Sequence, residues 1–245
     1  MKDNFSKHAA SYAKYRPAYP RALYEFIVSR LHNKGAAWDC GTGNGQAAIE
    51  IAKEVEMVQA TDISEKQIEK APPAKNIVYS VQPVEHTSFP NDSFDLITVA
   101  QALHWFKLDD FYSEVKRVAR QGAVLAAWTY SLVRISTEID ALIAAHHFNT
   151  LERYWDDERK YVDAEYKTIP FPFEKIQTPV FFIDYEWTKD ELEGYLNTWS
   201  GLQNFMRVHP YNPVDELMVR IRPFWLSEKM KISFPIHLLM GRIEK

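Results

Sequence analysis

The sequence predicts an α/β fold, a mostly parallel sheet with helices on both faces. Three observations predict it. Strand-like and helix-like segments alternate up to residue 128. The strand-like segments are near-continuous apolar runs, the pattern of strands buried on both faces. The first of them runs into a glycine-rich turn that opens a helix, as at the ligand crevice of a doubly wound sheet.

The elements follow in order. Residues 21–32 form a helix with Leu23, Phe26, Ile27 and Leu31 on one stripe. Ala36–Cys40 is a short apolar strand, and residues 46–53 read as the helix after the turn. A second strand, 57–61, ends at Asp62. Ser64 and Gln67 make a capping-box pattern, so a helix starts there and stops at Pro72 and Pro73. Residues 77–81 are β-branched and strand-like, and 94–99 form a fourth strand. Asp109 can cap a helix that aligns Phe111, Val115 and Val118, with Gly122 as its stop. Residues 123–128 are the fifth strand. The rhythm then changes. Residues 135–166 read as helical and aromatic-rich, followed by a loop punctuated by Pro170, Pro172 and Pro179. Residues 181–187 and 231–243 read as two further strands, paired antiparallel, which makes seven with the last one antiparallel. Between them, Thr188 and Glu191 form a second capping box ahead of Leu192, Tyr195, Leu196 and Trp199. Pro213 opens another helix, with Leu217, Ile221 and Trp225 facing inward.

A chain of 245 residues suits one large domain, here 1–245, with the helical stretch 131–176 as a cap inserted after strand five. The 46% hydrophobic and 25% charged composition excludes disorder as the main state. Seven Trp within a 14% aromatic content suit aromatic-walled cavities. Lys plus Arg total 29 against 33 Asp plus Glu, and a net charge of −4 does not point to a nucleic-acid partner. No apolar run approaches the roughly 18 residues of a membrane span. The polar stretch 1–16 lacks a signal-peptide core, so a cytoplasmic location is expected. The single Cys40 allows no internal disulfide and no multi-cysteine metal site. The adjacent pair His146 and His147 would point apart on a helix, so no metal is expected.

The informative stretch is Trp38-Asp39-Cys40-Gly41-Thr42-Gly43-Asn44-Gly45-Gln46, where the first strand hands over to a helix. Glycines there permit a tight turn and close approach of backbone to a ligand. Asp62, 21 residues after Gly41, ends the second strand, where a carboxylate can accept hydrogen bonds from both ribose hydroxyls. The two strand ends lie side by side, so both signals converge on one crevice. The glycines are spaced G-x-G-x-G, not the G-x-G-x-x-G of dinucleotide-binding dehydrogenases. Asp39 would repel a pyrophosphate but can hold an ammonium group.

This D-x-G-x-G-x-G run followed by Asp62 resembles the class I S-adenosylmethionine-dependent methyltransferases. Further segments narrow the resemblance to small-molecule members. Phe89-Pro90-Asn91-Asp92-Ser93-Phe94-Asp95-Leu96 resembles their entry to strand four. Gln101-Ala102-Leu103-His104-Trp105-Phe106 and Tyr12-Ala13-Lys14-Tyr15-Arg16-Pro17-Ala18-Tyr19-Pro20 resemble segments of the trans-aconitate and plant embryo-abundant methyltransferases.

The resemblance implies a Rossmann-like, seven-stranded fold that binds S-adenosyl-L-methionine and methylates a small-molecule acceptor, possibly a carboxylate. It implies that Asp39, Gly41 and Gly43 hold the methionine end. Asp62 would bind ribose, Ile63 would pack on adenine, and the backbone at Val84 and Glu85 would meet the adenine edge. Pro83 replaces an acid found in many relatives, and Gln82 can substitute for it. Gln101 would lie beside the sulfur. Tyr12 and Arg16 belong to a segment, 1–20, that would cover the cofactor. His104 is the candidate catalytic residue, as base or as positioning group, or is simply a packed histidine. Trp105 and Tyr130 are candidates for the acceptor pocket. A nicotinamide-dependent oxidoreductase and a non-catalytic cofactor-binding protein are the alternative functions.

Overall fold

The structure, a computed structural model, describes residues 17–245. Its strands are β1 (Ala36–Cys40), β2 (Met57–Asp62), β3 (Ile77–Val81), β4 (Phe94–Ala100), β5 (Ala119–Tyr130), β6 (Glu174–Lys175), β7 (Phe181–Thr188) and β8 (Lys229–Arg242). They form one sheet in the order β3-β2-β1-β4-β5-β8-β6, with β7 also paired to β8. Strands β1 to β5 are parallel, and β8 runs antiparallel to β5, β6 and β7. This is the Rossmann-like α/β arrangement that the sequence predicts. The eighth strand is the two-residue β6, too short to leave a pattern.

The helices are α1 (Arg21–Val28), α2 (Gln46–Ile51), α3 (Glu65–Ile68), α4 (Leu108–Val118), α5 (Thr137–Ala145), α6 (Arg159–Asp163), α7 (Lys189–Leu196), α8 (Ser200–Met206) and α9 (Pro213–Ile221). No described helix is long and apolar enough to cross a membrane. Successive strand residues serve opposite cores, because side chains alternate across a sheet. Leu96, Val124, Ala126 and Trp128 pack with Leu23, Ile27 and Ile51 of α1 and α2. Ile97, Val99, Leu125 and Ala127 pack with Phe111, Val115 and Val118 of α4. Both faces are dry, which is why these strands read as unbroken apolar runs.

Several element ends differ from expectation. The Ser64 side chain makes no cap bond, and α3 is a single turn without a buried residue, so packing does not extend it to the prolines. Lys107 rather than Asp109 precedes α4; Asp109 and Asp110 fall in its first turn, where they favour the helix dipole. That helix ends at Val118, because Ala119 already pairs with Phe94 in the sheet. Gly122 instead bends β5 at φ +76°. The Thr188–Glu191 capping box forms as expected. Helix α8 is hidden in the sequence by Ser200-Gly201, which reads as a turn. Gly201 is needed there because a Cβ would stand 2.7 Å from the Trp155 ring.

The strand order reverses between β1 and β4, so loops at their carboxyl ends diverge and leave a crevice. Glu114 of α4 anchors the wall next to it. Its buried carboxylate accepts the Thr87 amide at 2.7 Å, the Thr87 hydroxyl at 2.6 Å and Arg117 at 2.7 Å. Burial alone would raise this carboxyl, but hydrogen bonds from Arg117 and Thr87 outweigh it and hold it below its ordinary value. A lowered acid contributes stability above its unfolded value of about 4.5 and loses it as pH falls further. Glu114→Gln should therefore cost about 1.5–3 kcal/mol of unfolding free energy at pH 7, and less at pH 3, by urea titration.

Candidate functional site

A cavity opens at the carboxyl ends of β1, β2 and β4. Its floor is the glycine turn, where Gly41, Gly43 and Gly45 all adopt left-handed backbone, at φ +62°, +56° and +81°. A Cβ at Gly45 would lie 2.6 Å from the Tyr79 hydroxyl. A Cβ at Gly43 would meet nothing within 4 Å, so at Gly43 only the backbone conformation demands glycine.

Asp39 lies beneath this turn and is fully buried. The β1–β4 register sets Asp39 opposite Thr98, whose hydroxyl donates to Oδ1 at 2.7 Å. Thr42 of the turn donates to Oδ2 at 2.6 Å. Burial is the largest influence on this carboxyl and pushes it up to about 6; the threonine hydroxyls pull it down and nearby Asp62 pushes it up. Asp62 ends β2 and ties the two strand ends together, accepting the Gly43 amide at 2.9 Å and the Ser64 amide at 2.8 Å.

Gln101 follows β4 with a left-handed backbone at φ +55°, an uncommon conformation for a residue with a side chain. Its amide donates to the Trp128 carbonyl at 2.8 Å, and its Oε1 accepts the Tyr130 amide at 3.0 Å. The strained residue thus locks the end of β4 to β5 and fixes its own place on the cavity wall.

His104 sits in a short 3-10 turn, Leu103–Trp105, and lines the cavity while mostly buried. Its Nδ1 is 2.9 Å from the Tyr166 hydroxyl. Burial raises the Tyr166 phenol, while hydrogen bonds at the His104 backbone, the Thr129 side chain and the Leu103 backbone oppose the rise. Burial first, then the Arg159 cation, drives His104 down to about 3, with Asp163 opposing. The ring is neutral across the physiological range and is a poor base. Glu165 and Tyr166 adopt consecutive left-handed conformations, at φ +57° and +60°, in the turn that delivers the phenol.

The structure brings together Gly41, Gly43, Asp62, Ile63, Gln101, His104, Trp105 and Tyr130 around one cavity, with Asp39 directly behind it. Val84 and Glu85 do not line it. Val84 is buried in the core that holds Trp38, and Glu85 accepts the Lys107 amide at 3.2 Å ahead of α4. Gln82 is likewise committed, donating to Ser80 at 2.9 Å and accepting the Ser88 amide at 2.9 Å. Ser64 and Gln67 line the cavity beside Ile63. Tyr12 and Arg16 lie outside the described residues. Cys40 is buried, and burial raises its thiol well above the ordinary value. His147 pairs with Asp163 at 3.1 Å. Sequence reasoning missed Thr42 and Thr98, which no motif separates from ordinary strand and turn residues. It also missed Arg159, Asp156 and Ser200, which reach the cavity from the helical stretch after β5 and from α8.

A crevice at the reversal point of a parallel sheet, floored by a glycine turn and two acids, defines a ligand-binding α/β protein of the doubly wound class. Comparison with known proteins makes the class specific. The family model described as methyltransferase domain matches residues 38–127. A Dictyostelium discoideum protein named as a methyltransferase is 33% identical over 99% of this chain and 95% of its own length. A solved structure from Anaeromyxobacter dehalogenans, described as a type II methyltransferase, is 39% identical with a TM-score of 0.87, over 94% of this chain and 98% of that one. A Saccharomyces cerevisiae protein named as an S-adenosylmethionine-dependent methyltransferase is 27% identical over 52% of this chain and 47% of its own length. The chain belongs to the methyltransferase family.

Asp39 makes the site's first measurable consequence a stability effect. An acid raised from 3.8 to about 6 binds its proton more tightly in the folded state, so stability falls as pH rises through that window. Asp39→Asn should stabilise the ligand-free protein at pH 8, on the order of 1–3 kcal/mol, with a smaller gain at pH 5. Thermal melts at the two pH values check the sign.

Proposed function

We propose that the chain is an S-adenosyl-L-methionine-dependent methyltransferase acting on a small-molecule acceptor, specifically a carboxylate, in the cytoplasm. The observation that carries this reading is the meeting of Asp39 and Asp62 at a turn of three left-handed glycines. Two acids beside a turn that lets backbone approach closely suit a ligand that is cationic at one end and hydroxylated along its length. They do not suit a pyrophosphate. The resemblance of 12–20 and 101–106 to the trans-aconitate and embryo-abundant methyltransferases supports the acceptor class. The net charge of −4 supports a small molecule over nucleic acid.

When bound, S-adenosylmethionine supplies an electrophilic methyl group whose transfer is an in-line displacement: a bond forms from acceptor oxygen to methyl carbon while the carbon–sulfur pair returns to sulfur. In this reading the chain's residues bind, orient and exclude water. Asp39 acts through the turn on the ammonium group, with the Gly41 and Gly43 backbone against the methionine end. Asp62 accepts from ribose and Ile63 packs on adenine. Gln101, fixed by its strained backbone, borders the reacting centre. Segment 1–20, with Tyr12 and Arg16, covers the cofactor, and the cap 131–176 with Trp105 and Tyr130 shapes the acceptor pocket. Orientation of this kind is worth roughly 7–11 kcal/mol of barrier. A carboxylate acceptor needs no deprotonation, which agrees with a His104 ring too acidic to serve as base. His104 then positions the acceptor.

Thermal melts with S-adenosylhomocysteine should show a rise for the natural chain and none for Asp62→Ala, with NAD inert for both. No rise for the natural chain would overturn the cofactor assignment. At saturating cofactor, kcat should stay flat between pH 6 and 8, and His104→Ala should lose less than about 100-fold, the least expected from removing a general base.

A further inference from the structure

Among the described residues that line the cavity, Arg159 is the one permanently cationic side chain. It projects from the five-residue α6, which packs against the turn that carries His104. Its charge acts on both His104 and Tyr166, so it faces the β4 end of the cavity.

The guanidinium is held on two sides. Its Nε donates to Asp163 Oδ1 at 3.0 Å, and its plane lies 4.7 Å over the Trp155 ring. Each brace is itself anchored. Asp163 also meets His147 Nε2 at 3.1 Å, and hydrogen bonds from His147 and Arg159 keep its carboxyl below the ordinary value despite burial. Trp155 donates from Nε1 to the His147 carbonyl at 3.1 Å and is backed by Gly201, whose missing side chain makes room for it. No hydrogen bond to the terminal Nη groups occurs among the described residues. A guanidinium held at Nε and on its face, with its Nη edge left over, is a fork arranged to receive two oxygens.

We propose that Arg159 is the specificity-determining residue of the acceptor site and receives the carboxylate of an acidic small-molecule acceptor. The inference rests on the methyltransferase reading and adds to it the residue that selects the substrate. The charge pattern favours a monoanion. Asp62 and Asp156 also line the cavity and Asp163 lies behind the guanidinium, so among the described residues acids outnumber the permanent cation that a doubly charged phosphate would need. The neutral His104 adds a polar group to the same wall without adding charge.

The test uses the full chain with S-adenosylhomocysteine present and a panel of straight-chain, branched, unsaturated and aromatic carboxylic acids, each beside its primary amide and, where one exists, its phosphate-ester counterpart. Acids should raise the melting temperature above that of the S-adenosylhomocysteine complex, and amides and phosphates should not. With labelled S-adenosylmethionine, Arg159→Met should raise KM for the acids about 10- to 100-fold, the usual effect of losing a charged hydrogen bond, with S-adenosylhomocysteine affinity unchanged. Arg159→Lys, which keeps charge but not the fork, should fall between. If S-adenosylhomocysteine binds but no acid does, or if Arg159→Met weakens acid and amide alike, the inference is wrong while the cofactor reading stands. Loss of S-adenosylhomocysteine affinity in Arg159→Met would also overturn it, assigning the guanidinium to the cofactor's own carboxylate. Failure of the natural chain to bind S-adenosylhomocysteine overturns the underlying reading instead.

Discussion

The organisation of the site depends on one buried carboxylate. Asp39 has no access to water, yet it stands at the carboxyl end of the central strand, where the sheet reverses its order. Its oxygens are held by one hydroxyl from β4 and one from the glycine turn, so both walls of the crevice close onto it. The register of β1 against β4 is what brings Thr98 opposite, and a slip of one residue would turn that hydroxyl to the other face of the sheet. Asp62 extends the same arrangement sideways by accepting the Gly43 amide across the β1–β2 boundary. The turn is therefore held from behind and from one side before any ligand arrives. An acid held this way costs stability, and the two dry cores above and below the sheet offset it.

The same physics decides which parts of the fold were legible in the sequence. Strands β1, β4 and β5 were legible because both faces are covered and most positions are apolar, and the edge strand β3 because its residues are β-branched. Helix ends were less so: Ser64 stands at the start of α3 but its side chain makes no cap bond, and Asp109 lies inside the first turn of α4 rather than before it. In α8, Gly201 makes room for the Trp155 ring. In the site, the glycine turn and Asp62 were legible because they require a residue type at a fixed position. Gln101 was placed on the cavity wall by resemblance alone, and nothing in its residue type announces a left-handed backbone. The expectation for Val84 and Glu85 also came by resemblance and concerns their backbone; their side chains serve the core and the Lys107 amide.

The cavity has two walls of different chemistry. The wall made by β1, β2 and their loops consists of backbone amides, small residues and acids. Among the described residues, the opposite wall includes Trp105, Tyr130, Trp155, His104, Asp156 and Arg159, aromatic surface with one permanent cation, an acid and a neutral imidazole. The second wall is assembled from segments far apart in sequence, through a chain of contacts that runs from Asp163 to Arg159 and His147, and from His147 to Trp155. Each contact is ordinary; only their convergence is specific, and no short motif encodes convergence.

This division explains what family membership conveys and what it leaves to the individual chain. The matched family region, 38–127, contains the glycine turn, both acids, Gln101 and His104, and stops before α6. Everything that fixes the first wall lies inside that region, because it depends on strand ends, which the parallel sheet holds rigidly. On the second wall His104 and Trp105 lie inside it, while Tyr130 at the end of β5 and Trp155, Asp156 and Arg159 on the helical stretch lie outside it. A chemistry that uses one wall for a constant ligand and the other for a variable one needs this separation. The two left-handed residues at Glu165 and Tyr166 show how far local backbone preference yields on the variable side. Two consecutive side-chain-bearing residues are held in an unfavourable conformation so that one phenol reaches His104 and holds its ring at the cavity wall.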